Sequence, residues 1–151
     1  MKKIKFRAIS KMPVDEMDAK GIPHREGFVF GAYSDGYILG PVIEANEEFI
    51  THKWWVPVDK GTVEQCTLLK DMDGKEIYEG DIVNYGSTWW NDVTGPQSEG
   101  DVGAVKFDSS GATYIIDGNF ADPLVMVTDH DIYAVVGNIH ENPDLLEAPH
   151  D

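Results

Sequence analysis

The stretch that decides the fold is Gly74-Lys75-Glu76-Ile77-Tyr78-Glu79-Gly80-Asp81-Ile82-Val83. Its two apolar pieces are separated by Glu79-Gly80-Asp81, a tight turn in which Gly80 supplies a positive φ and Asp81 accepts bonds from nearby backbone amides. A second turn, Asp71-Met72-Asp73-Gly74-Lys75, precedes the first apolar piece. The stretch therefore predicts short strands joined by turns. The residues predicted to be structural in these turns are Asp71, Gly74, Gly80 and Asp81.

The same alternation of short apolar runs and turns extends over the whole chain. Fifteen Gly and eight Pro divide it into pieces rich in β-branched and aromatic residues, a pattern typical of short strands. Residues 11–26 are polar and are predicted as a loop or a wide hairpin, and residues 86–101 are predicted as a long polar loop. The stretch 77–83 contains the Glu79-Gly80-Asp81 turn and leads into another strand. The other predicted strands are 3–10, 27–33, 37–44, 49–58, 62–69, 102–107, 112–116, 124–127 and 132–136.

These strands predict a mainly β, or β-rich α+β, protein with two parts. Residues 1–60 form a smaller β-rich N-terminal portion, and 61–151 form the larger part. The close spacing of the strands from about residue 62 to 138 favours a small barrel or a sandwich. Asn142 and Pro143 predict a short helical tail, since Asn caps helices and Pro suits their first position.

The composition bounds the partners. Twelve basic and 27 acidic residues give a net charge of −15. Direct nucleic-acid binding is not expected, because phosphate affinity comes from Lys and Arg. The charge agrees with a soluble protein, with binding to a basic partner, or with mimicry of DNA. The one cysteine excludes an internal disulfide, and we expect a cytoplasmic protein with no membrane span.

The sequence contains no recognisable catalytic or cofactor-binding motif. Cys66 lies in a predicted strand and is interpreted as a buried structural thiol. The five histidines lack the short-spaced pairs of a zinc site, and the local clusters Asp129-His130-Asp131 and His140-Glu141 do not converge on a strand. We therefore expect no catalytic residue, no metal and no cofactor. A small metal- or thiol-dependent enzyme is the weaker alternative.

The aromatic pairs are the best pointer to a binding surface. Trp89-Trp90 falls in the predicted loop 86–101, and tryptophan is enriched at interaction hot spots. Acidic residues of the same loop would rim the patch and favour a basic or amphipathic partner. Trp54-Trp55 is interpreted as one core ring and one surface ring. The residues predicted to form the binding surface are Trp89, Trp90, Asp92, Glu99 and Asp101.

Three stretches of the sequence, Lys3–Ala8, Gln65–Val83 and Val135–Leu146, together resemble the YopX family of phage and prophage proteins. The resemblance implies an SH3-like β-barrel in the C-terminal half, and it implies no activity. Gly137, in the third stretch, is predicted as a further turn residue. The family usually has Trp where Ile9 stands and Gly where Leu68 stands. The leucine indicates that no positive φ is needed at position 68.

These observations lead to a first hypothesis: the chain is a non-enzymatic phage or prophage accessory protein. It would bind another protein, either a host factor or a second copy of itself. A DNA-mimicking inhibitor of a nucleic-acid-binding host protein is an alternative that rests on the charge alone.

Overall fold

The computed structural model describes residues 5–117, 121–124 and 132–147, with side chains described there except at 87–90, 98–100, 121–123, 132 and 147. The chain divides into two compact units, Met1–Cys66 and Thr67–Asp151. Both units consist mainly of antiparallel strands. The prediction of a mainly β protein is therefore confirmed.

The N-terminal unit is a sheet of short strands with one hairpin apart from it. The strands of this unit follow the order β6-β3-β2-β1-β7 within a sheet that also contains β8, and β4 pairs with β5 separately. Asp35 and Gly36 join β2 to β3 with positive φ values of 42° and 89°, as a two-residue hairpin turn requires. The elements are β1 (Phe6–Ile9), α1 (Val14–Ala19), β2 (Phe28–Ser34), β3 (Tyr37–Leu39), β4 (Val42–Ala45), β5 (Ile50–His52), β6 (Trp55–Pro57), a 3-10 turn (Lys60–Thr62) and the start of β7 (Glu64–Lys70).

Helix α1 corrects the prediction that residues 11–26 form a loop or a wide hairpin. Pro13 precedes the helix, and Asp15 and Glu16 stand in its first turn, where carboxylates interact favourably with the helix dipole. Met17 is fully buried in the unit's core. A six-residue helix that buries one side chain has no visible apolar period, so the sequence pattern could not reveal it. The buried core of this unit comprises Ala8, Met17, Ile22, Val29, Ile38, Val56 and Val58.

A buried ion pair joins β1 to the start of β7. Arg7 and Glu64 are register partners, and the Arg7 Nε donates to Glu64 Oε1 at 3.0 Å. The guanidinium carbon also lies 4.4 Å from the centre of the Phe28 ring. Both charged residues are less than 9% exposed. A one-residue slip would turn either charge to the other face of the sheet, so the pair specifies the β1–β7 register.

The C-terminal unit contains a five-stranded antiparallel sheet in the order β12-β11-β10-β9-β13. Its buried core comprises Ile77, Val83, Tyr85, Val105, Ile116 and Leu124. The helical tail predicted after Asn142 is present as α2. The elements after β7 are β8 (Glu76–Tyr78), β9 (Asp81–Asn91), β10 (Gly95–Asp108), β11 (Thr113–Asp117), β12 (Ala121–Pro123), β13 (Ile132–Asn138) and α2 (Asp144–Glu147).

The barrel prediction is not confirmed. The sheet of this unit ends at β12 on one side and β13 on the other, and no closed barrel is formed by the strands of the described ranges. The antiparallel pairing that a small barrel shares with an open sheet is present. The predicted strand 124–127 falls mostly outside the described residues, and the described strand in this region is β12.

Residues 86–101, predicted as a loop, instead form most of a long hairpin. Strands β9 and β10 pair continuously from Ile82↔Ala104 to Asn91↔Gly95. Asn91 Oδ1 accepts from the backbone amides of Val93 and Thr94 at 2.8 and 3.1 Å, and Gly95 has a φ of 86°. The loop prediction was wrong because it relied on polar composition. Two strands can pair through their backbone hydrogen bonds without an apolar face.

Leu68 corrects a second expectation. Its φ is 68°, so this position has the left-handed conformation that glycine adopts without strain. The prediction from the sequence that no positive φ is needed at position 68 is therefore wrong. The Leu68 side chain is 42% exposed, so packing compensates only part of a backbone cost of about 1–2 kcal/mol.

We expect Leu68→Gly to stabilise the protein by roughly 0.5–1 kcal/mol, because removing the Cβ relieves the strain at positive φ. The measurement is the free energy of unfolding in urea. Leu68→Ala is the matched control, because it shortens the side chain and keeps the Cβ. A glycine variant no more stable than the alanine variant would show that the backbone at this position is unstrained.

Candidate functional site

A cleft of about 520 Å³ opens in the N-terminal unit. We call it the aromatic cleft. Two of its aromatic side chains face solvent: Trp55 is 59% exposed and Tyr37 is 42% exposed. Exposed tryptophan is a source of binding energy, because each ring can remove about 150–250 Å² from water. The residues that line the cleft are Met12, Lys20, Ile22, Tyr37, Lys53, Trp54, Trp55 and Pro57.

The local backbone holds the two tryptophans in different roles. Trp55 pairs with Leu39 in the β3–β6 ladder, while the Gly40 amide donates to the Trp54 carbonyl at 2.8 Å. A Cβ on Gly40 would lie only 2.4 Å from the Trp54 ring. Trp54 therefore packs directly on the Gly40 backbone and against the unit's core, and Trp55 remains exposed. The expectation of one core ring and one surface ring is confirmed.

The cleft is basic, although the chain is strongly acidic. Among the described residues, Lys20 and Lys53 are its charged lining residues, and no carboxylate side chain lines it. Lys20 Nζ lies 3.3 Å from Glu16 Oε1 on the exposed side of α1. No carboxylate of the described residues forms an ion pair with Lys53. Lys53 is therefore the cation most available to a ligand in the cleft.

The acidity of the chain belongs almost entirely to the other unit. Residues 1–66 carry nine basic and ten acidic side chains, a net charge of −1. Residues 67–151 carry three basic and seventeen acidic side chains, a net charge of −14. The aromatic cleft thus lies in a unit whose basic and acidic side chains nearly balance.

The structure spreads the predicted binding residues along the β9–β10 hairpin. The backbones of Trp89 and Trp90 pair with Gln97 and Pro96, and their side chains lie outside the described part of the chain. Asp92 is exposed at the hairpin tip. Glu99 pairs with Ser87 and Asp101 with Tyr85, which puts Asp101 roughly 20 Å from the tip at the usual strand rise. The backbone therefore does not gather these residues into one compact site.

The predicted turn residues hold hydrogen bonds and close contacts. Asp81 Oδ2 accepts from the Tyr78 amide at 2.8 Å. Gly74 and Gly80 both have a φ of 83°, which the tight turns require. A Cβ on Gly137 would lie 2.5 Å from Asn142 Oδ1. These residues build the C-terminal unit and contribute no group to the aromatic cleft.

The cysteine and the described histidines do not form a reactive cluster. Cys66 is 3% exposed. His24 Nε2 lies 2.6 Å from Asp18 Oδ1, and His52 Nδ1 lies 2.7 Å from the Gly40 carbonyl oxygen. Within residues 5–117, 121–124 and 132–147, no three His, Cys, Asp or Glu side chains are grouped to hold a metal. The Asp129-His130-Asp131 cluster and His150 lie outside these ranges.

Comparison with known proteins places the chain in a family. The model of the YopX protein family matches residues 37–147, which is most of the sequence. The chain belongs to the YopX family. The crystal structure of protein EF1440 from Enterococcus faecalis is similar to this YopX chain, with a TM-score of 0.52 and 19% identity over 97% of this chain and 99% of that chain. At that identity the likeness shows the fold alone. No curated protein matches the chain.

The matched segment of this YopX chain contains one wall of the aromatic cleft. Tyr37 and the run from Lys53 to Pro57 lie inside it, while Met12, Lys20 and Ile22 lie before it. Sequence reasoning missed the cleft because its lining residues are distant along the chain. Trp54-Trp55 was the available signal, and it was judged weaker than Trp89-Trp90. None of the described helices is long and apolar enough to cross a membrane.

Proposed function

We propose that this YopX-family chain is a non-enzymatic protein-interaction module, encoded by a phage or prophage and acting in the bacterial cytoplasm. Its binding site is the aromatic cleft. The observation that carries the proposal is the 59% exposure of Trp55 beside a fixed Trp54. The SH3-like barrel implied by the family resemblance remains part of the proposal for residues 61–151.

The physical case for binding rests on rigidity as well as exposure. Trp54 is held by the backbone of Gly40 and by the core, and Trp55 is anchored in the β3–β6 ladder. Because the rings are already held in place, the cleft loses little conformational entropy when a partner covers them. More of the free energy gained by burying apolar surface therefore contributes to affinity. The Cys66 thiol is buried, which disfavours the alternative of a thiol enzyme.

We expect Trp55→Ala to reduce capture of the partner from host lysate by about tenfold or more, the effect of losing a hot-spot tryptophan. The measurement is affinity capture with quantitative mass spectrometry against the unmodified chain. Stability should change little, because more than half of the side chain already faces solvent.

Phe107→Ala is the matched control, since Phe107 is 50% exposed and lies in the other unit. It should leave capture unchanged. Trp89→Ala and Trp90→Ala test the surface that the sequence predicts. If these variants abolish capture while Trp55→Ala does not, the binding site is the β9–β10 hairpin and the cleft proposal is wrong.

The charge of the C-terminal unit supports a second candidate. A net charge of −14 over residues 67–151 fits an inhibitor that imitates DNA and occupies a basic host protein. Capture of such a protein should be competed by duplex DNA and should weaken steeply between roughly 50 and 200 mM salt. Capture that is insensitive to both would reject this candidate.

A further inference from the structure

The β4–β5 hairpin, Val42–His52, exposes apolar side chains that the described residues of its own chain leave uncovered. A two-stranded hairpin is marginally stable by itself in water, and every residue from 41 to 50 is exposed. None of its residues lines the aromatic cleft of the same chain. The large apolar side chains of the hairpin, each 47–62% exposed, are Val42, Ile43, Phe49 and Ile50.

The tip of this hairpin is acidic, and side-chain hydrogen bonds close its turn. Glu44, Glu47 and Glu48 give it three carboxylates and no cation. Asn46 Oδ1 accepts from the backbone amides of Glu48 and Phe49 at 2.7 and 3.0 Å, so the turn has a defined shape. An ordered segment loses less conformational entropy when it docks than a flexible one does.

The hairpin and the aromatic cleft are complementary in chemistry. The cleft offers aromatic rings, Pro57 and the available ammonium of Lys53, and no carboxylate of the described part of the chain lines it. The hairpin offers aliphatic side chains, the Phe49 ring and three carboxylates. Opposite charges that face each other across an interface fix the register and exclude wrong partners.

We propose that the aromatic cleft binds the β4–β5 hairpin of a second copy of this chain, which gives a symmetric homodimer. This inference rests on the proposed function, because it names the occupant of the same cleft. The backbone bonds Gly40 N to Trp54 O and Lys53 N to Pro41 O, both 2.8 Å, join the base of the hairpin directly to the strands that carry Tyr37 and Trp55. Two copies can therefore pair about a two-fold axis, each hairpin entering the other cleft.

The hairpin does not reach its own cleft because these same bonds hold its base. Gly40 and Trp54 are paired directly at the point where the hairpin leaves the sheet. Folding the hairpin back would break that pairing and the Lys53 N to Pro41 O bond beside it. A second copy can supply the hairpin with the base intact.

A charge-exchange experiment tests the dimer. Variant X carries Lys53→Glu, and variant Y carries Glu47→Lys and Glu48→Lys. In a dimer of either variant alone, position 53 of one copy faces side chains of the same charge at positions 47 and 48 of the other. Self-association of each variant, measured by sedimentation equilibrium, should therefore be at least about tenfold weaker than that of the wild type. An equimolar mixture restores both attractive contacts and should associate to within about threefold of the wild type. Circular dichroism checks that both variants are folded.

Lys70→Glu is the matched control, because it makes the same charge change at an exposed residue outside the cleft. It should associate as the wild type does. A wild type that stays monomeric up to roughly 1 mM, or a mixture of X and Y that fails to associate, overturns the dimer. If Trp55-dependent capture of another protein persists in that case, the proposed function stands. If it too is absent, both proposals fail.

Discussion

Replacing Asp71 with alanine is expected to destabilise the protein by about 3–5 kcal/mol, because one buried carboxylate holds three backbone amides. Asp71 is 5% exposed. Its Oδ1 accepts from the amides of Asp73 and Lys75, each at 2.9 Å, and its Oδ2 accepts from the Val135 amide at 3.0 Å. Two of these bonds shape the β7–β8 turn, and the third ties the turn to β13.

Urea unfolding of Asp71→Ala, compared with Asp73→Ala, measures this effect. Asp73 lies in the same turn and is exposed, so its loss removes the same charge and should cost less than about 0.5 kcal/mol. Asp71→Asn should give an intermediate loss, since the amide keeps one acceptor oxygen. Equal stability of the Asp71 and Asp73 alanine variants would show that the turn does not depend on the buried carboxylate.

Gly31→Ala is expected to cost about 3 kcal/mol or more, at the upper end of what overpacking costs. A Cβ on Gly31 would lie 2.2 Å from the Leu39 carbonyl oxygen and 3.3 Å from Ile38 Cγ2. The nearest atom belongs to the backbone of β3, so a side-chain rotation cannot relieve the contact. Strands β2 and β3 would have to separate, and β3 carries Tyr37 of the aromatic cleft.

The control for this change is Gly61→Ala. Gly61 has no positive φ, and its added Cβ would meet nothing closer than Asp59 Oδ1 at 3.4 Å. That variant should unfold within about 0.5 kcal/mol of the wild type in the same urea titration, or slightly above it. A Gly31→Ala variant as stable as Gly61→Ala would mean that the β2–β3 spacing described here is too narrow.

The sequence could predict features that depend on a few neighbouring residues. The Asp35-Gly36 turn and the positive φ of Gly80 follow from residue chemistry alone, because glycine, and to a lesser degree aspartate, tolerates the left-handed region. The positions of most strands follow from the Gly and Pro residues that separate the short apolar runs. The helical tail after Asn142 could also be predicted, because Pro is favoured at the first position of a helix.

Other features depend on the fold as a whole, and the sequence did not reveal them. Helix α1 has Met17 as its one buried residue, so its amphipathic period is invisible. The β9–β10 ribbon is held by backbone pairing, and its polar side chains gave no pattern that predicts a strand. Leu68 has a positive φ although it is not a glycine, so its residue type led to the wrong prediction of its backbone conformation.

The aromatic cleft was beyond the reach of sequence reasoning for a different reason. It is assembled from residues 12, 20 and 22, from Tyr37, and from the run 53–57, and β3–β6 pairing brings the last two together. Trp54-Trp55 and Trp89-Trp90 look alike as sequence. What distinguishes them is the contact of Trp54 with Gly40, which is a product of the fold.

The central claim is that Trp55 and its cleft form the binding surface, and the indole N–H resonances of the four tryptophans test it most directly. Four single Trp→Phe variants assign the four signals in a ¹⁵N-labelled protein. The spectrum is then compared between the free and bound states, whether the occupant is a captured partner or a second copy. We predict that the Trp55 signal changes most and the Trp54 signal changes with it. Changes confined to Trp89 and Trp90 would contradict the account.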